Sequence, residues 1–258
     1  MSKNFELMQQ AGKEQPIRPV RQQEPISPIL TGNGHGNGHR NGTRAGLNLD
    51  ELAQEETLKL VQRVFLVQTS EPPRTVVFAG IDHGNGCSRT CARTAEVLAA
   101  NIAGKVCLVD ANLRSPALPE FFGMTNHHGL TDSLLQDGPI LSFAKQVGTD
   151  NLWLLSCGSL ASDSASLLNS TRLKTRLAEM RRDFDYILID APPLSQYADG
   201  VALGRLADGM VFVLEADATR RESALKVMDN LRANQVQILG AVLNKRAYPI
   251  PESLYSKL

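Results

Sequence analysis

The sequence predicts a three-layer α/β domain: a mostly parallel central sheet flanked by helices. Three observations carry that expectation. Short apolar runs such as Val106-Cys107-Leu108-Val109 and Ile187-Leu188-Ile189 have the unbroken hydrophobicity of strands buried on both faces. Amphipathic helical stretches alternate with them, as the crossovers of a parallel sheet require. A glycine-rich turn, Gly80-Ile81-Asp82-His83-Gly84-Asn85-Gly86, joins one such strand to the helix after it.

Composition narrows the function. The chain has 258 residues, 42% hydrophobic and 21% charged, enough for one sizeable domain and a tail. Formal net charge is zero, which argues against a nucleic-acid-coating surface. Cys87, Cys91, Cys107 and Cys157 lack the spacing of a zinc site and the density of a secreted disulfide scaffold, so a reducing cytoplasm is expected. No apolar run reaches the roughly 18 to 20 residues of a membrane span, and no signal-peptide core stands at the start. A role at the inner membrane would then be peripheral, through a partner.

Residues 1–46 read as a disordered tail with a Gly/Asn-rich linker, and 47–258 as the folded domain. His35 and His39 stand in the linker without cysteine or carboxylate company and read as linker, not as metal ligands. A helix is expected from Leu49, capped by Asn48 or Asp50, with Leu52, Ala53, Leu60, Val61, Val64 and Phe65 inward. Strand Thr75 to Ala79 follows, then a helix from near Ser88 through about Ala103 with Ala92, Ala95, Leu98, Ala99 and Ile102 inward. Further strands are expected at 106–110, 152–155, 186–190, 210–214 and 237–243. Helices are expected from Leu167 to Arg182 and from Arg221 to Ala233, the latter with Ala224, Leu225, Met228 and Leu231 on its inner face. Two prolines break the last residues, Tyr248-Pro249-Ile250-Pro251-Glu252-Ser253-Leu254-Tyr255, into an extended tail.

Ligands of open parallel sheets bind beyond the carboxyl ends of the strands. The glycine-rich turn ends the first strand there, and its backbone N–H groups with the following helix dipole suit an anion. It has the architecture of a P-loop. The lysine position is Cys87 and the first glycine position Ile81, while the hydroxyl survives as Ser88. Asp110 and Asp190 end two further strands, where carboxylates suit Mg²⁺; a strand-ending aspartate also simply caps the next turn. Cys87 at a helix N-terminus, with Cys91 one turn on, raises a redox reading through a lowered thiol pKa. The plainer reading is a small residue standing where a lysine is no longer needed.

Gly84-Asn85-Gly86-x-Ser88, Asp110-x-Asn112-x-Arg114-x-Pro116, Asp185 to Pro193, and Leu206-Ala207-Asp208-Gly209 together resemble the bacterial tyrosine kinases. These are the CpsD/CapB-like group of capsule and exopolysaccharide synthesis, related to MinD-type P-loop ATPases. The resemblance covers about residues 49–244 and implies a P-loop NTPase-like fold using ATP/ADP and Mg²⁺. By position, Asp110 and Asp190 would be the catalytic Walker A′ and Walker B aspartates organising Mg²⁺. Ser88 would be the P-loop magnesium ligand, and Asn244 the adenine-contacting asparagine. Gly84, Asn85, Gly86, Cys87, Ser88 and Arg89 would surround the phosphates. The implied partner is a membrane-embedded polysaccharide co-polymerase or activator, and homo-oligomers are a family habit.

The chain departs from that pattern at Cys87, at Asn112 in place of a second aspartate, and at Glu56, Lys59 and Gln62 in place of a Glu-Arg-Arg oligomerisation pattern. Only Tyr248 and Tyr255 stand where the family has a tyrosine cluster. A lost charge-assisted hydrogen bond is about 1.5 to 3 kcal/mol, so nucleotide binding should weaken roughly ten- to a hundredfold. Phosphoryl transfer depends on cations more steeply, by about 10³ to 10⁵ for one arginine elsewhere. Arg89 and Arg114 are the candidate substitutes. The expected function is a cytoplasmic regulatory module of this kinase type, with nucleotide binding weak or absent. The rival readings are an active ATP-dependent tyrosine autokinase and a MinD- or ParA-like positioning ATPase.

Overall fold

A computed structural model describes residues 49–67, 69–159, 164–168 and 170–246. The linker, His35, His39, Asn48 and the tail with Tyr248 and Tyr255 lie outside these residues. The described chain runs α1 (Leu49–Val64), β1 (Thr75–Gly80), α2 (Cys87–Asn101), β2 (Val106–Asp110), α3 (Leu118–Phe121) and α4 (Leu130–Leu135). A 3₁₀ turn (Ile140–Ser142) leads to β3 (Lys145–Gln146), β4 (Leu152–Leu155), α5 (Ser164–Leu168), α6 (Thr171–Asp183) and β5 (Tyr186–Ala191). Then come α7 (Asp199–Gly204), β6 (Gly209–Glu215), α8 (Arg221–Ala233) and β7 (Ile238–Asn244).

The strands form one sheet in the order β3-β4-β2-β5-β1-β6-β7. Every pair is parallel except β3 with β4. Successive side chains of a strand point to opposite faces, and the core divides accordingly. Val76, Phe78, Leu108 and Leu188 join Val61 and Val64 of α1, Phe65 just after it, and Ala92, Ala95 and Leu98 of α2 on one face. Val77, Ala79, Val109, Ile187 and Ile189 join Leu177 and Met180 of α6 and Val227 and Leu231 of α8 on the other. Each such fully buried Leu, Ile or Phe contributes about 1.5–3 kcal/mol.

Several expectations needed correction. The helix expected over 167–182 is two helices, because the Ser170 hydroxyl accepts the Leu173 N–H at 3.3 Å and starts α6 afresh. Helix α2 begins at Cys87 and ends at Asn101. Asp50, expected as a cap, lies inside α1. Ala53 and Leu225 are exposed rather than inward; Val227 takes the buried place on α8. The short elements α3, α4, β3 and α7 had no sequence signal, since each is too short to show a period.

At the amino ends of the strands, the Asp208 carboxylate accepts the N–H groups of Arg74 and Thr75 at 2.9 and 2.8 Å. It also pairs with Arg181 at 2.9 Å. This ties β1 to the start of β6 and fixes the register that delivers the glycine-rich turn to the opposite edge.

Candidate functional site

The turn after β1 folds as it does because two glycines take left-handed backbone. Gly84 and Gly86 both have φ 82°, a conformation costly for residues with a Cβ. Gly86 is also the residue before α2 and contributes no side-chain cap, so the first-turn amides of Cys87 and Ser88 stay open for an anion. Two amides brace the loop from behind. The buried Asn85 side chain donates to Val213 O at 2.8 Å and fills the space over Gly80, where a Cβ would meet it at 2.4 Å. Asn244, at the end of β7, donates to Asn85 O at 2.9 Å, and a Cβ on Gly86 would meet its Nδ2 at 2.3 Å. The side chains of Asn85 and Asn244 are thus spent on the loop's own shape.

Asp110 and Asp190 are register partners on β2 and β5, both fully buried. Asp110 accepts the N–H groups of Asn112 at 3.2 Å and of Ala117 and Leu118 at 3.1 Å. It therefore does cap the turn that follows it. Among the described residues neither oxygen of Asp190 has a hydrogen-bond partner. Both carboxyls have pKa values raised well above the ordinary range, by burial first; the charge of Asp190 raises Asp110 further, while backbone donors act the other way. Ser88 and Cys87 lie close enough to Asp190 to lower its pKa somewhat, though neither closes a bond of ordinary geometry on it.

Cys87 is among the residues that line the cleft, but it is a short, nearly buried thiol and carries no charge toward it. It is buried beside Asp190 and Cys91, and burial, then the Asp190 charge, push its thiol well up; Cys91 is raised by burial and by both aspartates. The lowered pKa that a helix N-terminus suggested for Cys87 is overturned, since burial and the Asp190 carboxylate act the other way. Arg114 donates from Nε to Asp199 at 3.3 Å, with its guanidinium 4.2 Å from the Tyr197 ring centroid. Arg89 is exposed on the cleft and makes no ion pair among the described residues. The cleft holds about 340 Å³ and is lined by Gly84, Gly86, Ser88, Arg89, Asn112 and Pro193, among others. Ala191 and Pro193 also line it, and the residues that follow are tied to the glycine-rich turn, Leu194 N–H donating to Gly80 O at 2.9 Å and Ser195 Oγ to Asp82 at 2.9 Å.

A P-loop turn backed by two strand-ending aspartates defines the class of site, and comparison with known proteins defines the family. No family model matches the chain. Over 171 residues it is 32% identical to the tyrosine-protein kinase YwqD of Bacillus subtilis, covering 66% of this chain and 72% of that one. The chain belongs to the bacterial tyrosine kinases. The crystal structure of the VpsO kinase domain superposes with a TM-score of 0.69 at 25% identity, over 78% of this chain and 100% of that one. A ParA family ATPase from Chlorobium tepidum superposes with a TM-score of 0.58 at 19% identity, over 67% and 74% of the two chains, a likeness of fold.

In this bacterial tyrosine kinase chain the arrangement fits a magnesium nucleotide in one respect and not in another. Asp190 presents two unpartnered buried oxygens beside Ser88, a donor set of hard oxygens that suits Mg²⁺. Asp190, Ser88 and, through water, Asp110 would hold the ion, which supplies positive charge against phosphate. The open amides after Gly86 would suit a phosphate, and position 87 holds a cysteine where a P-loop has its lysine.

Sequence reasoning did not find the bracing roles of Asn85 and Asn244; a buried asparagine next to left-handed glycines was the only signal. Lys59 pairs with Glu56 at 2.9 Å and Glu55 at 3.2 Å on the exposed side of α1, and Gln62 is exposed too. No helix among the described residues is long and apolar enough to cross a membrane.

Proposed function

We propose that this chain is a kinase-derived regulatory module of capsule or exopolysaccharide assembly, binding adenine nucleotide weakly and acting through a membrane-embedded co-polymerase partner rather than by phosphorylating tyrosine. The observation that carries this reading is Cys87, which is buried against Asp190 at the lysine position while Arg114 is held by Asp199 and Tyr197. The kept sheet, glycine turn and aspartate pair support a site that still receives a diphosphate through backbone amides. The missing cation supports the loss of phosphoryl transfer, which depends on neutralising the moving group. Titration calorimetry with ADP and ATP, with and without Mg²⁺, tests it together with incubation in labelled MgATP. Weak binding and no labelled tyrosine are expected; strong tyrosine autophosphorylation by the purified chain would overturn the reading.

The unpartnered oxygens of Asp190 favour a second reading, a surviving autokinase in which Mg²⁺ and Arg89 together replace the lysine. It requires that Arg89→Ala abolish label incorporation.

A further inference from the structure

Strand β7 closes one side of the sheet and, among the described residues, pairs only with β6. The ladder between them skips Leu239, so the regular stretch runs from Gly240 to Asn244. That stretch carries neither proline nor charge, the devices that usually discourage strand addition. The opposite edge, β3, is two residues long and has Lys145.

The direction of the free backbone groups follows from one bond. Asn244 O accepts the Ala216 N–H at 2.9 Å, so residue 244 turns its backbone toward β6 and the loop after it. Successive residues of a strand turn their N–H and C=O groups to opposite sides. Val242 and Gly240 therefore also serve β6, and the groups of Ala241 and Leu243 point outward. Side chains alternate as well. Val242 packs on the face of α1 and α2, which puts Ala241 and Leu243 on the face of α8. Both are exposed, Leu243 to 59%.

Helix α8 carries a matching ridge. Arg221, Ala224 and Leu243 line one groove of about 540 Å³, so the start of α8 stands over the carboxyl end of β7. A helix rises about 1.5 Å per residue and a strand about 3.3 Å, which sets Leu225 near the level of Val242. Leu225 is 42% exposed, whereas Val227 on the other flank of the helix is buried. Arg221, Leu225 and Asp229 follow one another at intervals of four and share a ridge whose two ends are opposite in charge.

We propose that the outer edge of β7, with this ridge of α8, is the face on which a second copy of the chain docks, about a two-fold axis through Val242. In antiparallel pairing about that axis, Ala241 stands opposite Leu243 of the second copy, and the two exchange their outward N–H···O bonds. Ala241 is small and leaves room for that leucine. Leu225 meets Leu225 of the second copy, and Arg221 faces its Asp229. The same patch serves both copies, as a two-fold interface requires, and the exposed leucines are covered. The ridge lies on the sheet face opposite α1. The inference is independent of whether the P-loop holds nucleotide.

Sedimentation velocity of the full chain over a range of concentrations tests it, and a monomer–dimer equilibrium is expected. Ala241→Pro removes an outward N–H without touching the ladder to β6, and Leu225→Asp places charge at the axis. Each should raise the dissociation constant at least about tenfold with the circular dichroism unchanged. Leu225→Cys should be crosslinked into a dimer by a short bis-maleimide, since the native thiols are buried, while Lys145→Cys on the opposite edge should not. A chain that stays monomeric up to its solubility limit overturns the proposal and leaves the edge to residues beyond 246 or to another protein. Association that survives both substitutions, or crosslinking equal in the two cysteine variants, also overturns it and gives self-association to another face.

Discussion

Asp110 and Asp190 sit side by side at the carboxyl ends of β2 and β5, and among the described residues three backbone N–H groups serve the first while none serves the second. Adjacent strands run about 4.7–4.9 Å apart. At that spacing, out of water, two carboxylates repel, and the proton lost or gained belongs to the pair. The pair is therefore a store of unfavourable energy that a bound cation would release.

Asp190→Asn should stabilise the ligand-free protein at neutral pH. A carboxyl whose folded pKa lies above its unfolded value holds its proton more tightly when folded. Folded-state stability is then full below about the ordinary 3.8 and is lost as pH rises through the raised value. One pKa unit corresponds to about 1.4 kcal/mol, so the advantage of the variant should grow by at least that amount between pH 5 and pH 8. Urea denaturation at the two pH values measures it. A difference independent of pH would mean the pair is ionised without penalty.

Cys87→Lys should strengthen ADP binding about ten- to a hundredfold, the effect of one charge-assisted hydrogen bond of about 1.5–3 kcal/mol. Calorimetry on both proteins decides it. An unchanged affinity would show that the amides after Gly86 alone set binding.

The thiols of Cys87, Cys91 and Cys107 are buried and have raised pKa values, chiefly through burial, and Cys157 is pushed up to about 11. None should react with a disulfide reagent in the native protein at pH 7, and all four should react once it is unfolded. Rapid labelling of Cys87 in the native state would revive a redox role.

Arg176 is a buried cation that the sequence did not single out. Its guanidinium donates to the carbonyls of Ser133, Gln136 and Gly138 at 2.7–2.8 Å and pairs with Glu179 at 2.7 Å, holding the turn after α4 against α6. Arg176→Ala removes the donor from the buried Ser133 carbonyl, at about 1–3 kcal/mol, and from Gly138 O, while Arg172 still serves Gln136 O at 2.9 Å. A fall in melting temperature of at least about 5 °C is expected for a domain of this size. A melting curve that does not move would mean that water serves the turn equally well.

The sheet was legible in sequence because its strands are short apolar runs ended by Gly80, Asp110 and Asp190, and those endings also marked the site. Elements shorter than two helical turns were not legible. Four residues of α3 and six of α4 carry no period, and they form because the Asp110 carboxylate and the 156–159 backbone hold them. The helix split at Ser170 was missed because apolar spacing runs on across it, while a hydroxyl bonding to Leu173 N–H interrupts it locally.

By itself the sequence determined the layered fold, the place of the glycine-rich turn and the cysteine at position 87, since periodicity and residue type are local properties. Tertiary structure alone decided how the remaining groups are used. Asn85 and Asn244 brace the turn, Arg114 is bound to Asp199, Cys87 lies buried on Asp190, and Asp190 is left without a donor. The reason is physical: which charge is paired and which is stranded depends on strands that meet only in the folded sheet, where β1 lies between β5 and β6 and brings residues 80–90, 190 and 213 within reach of one another.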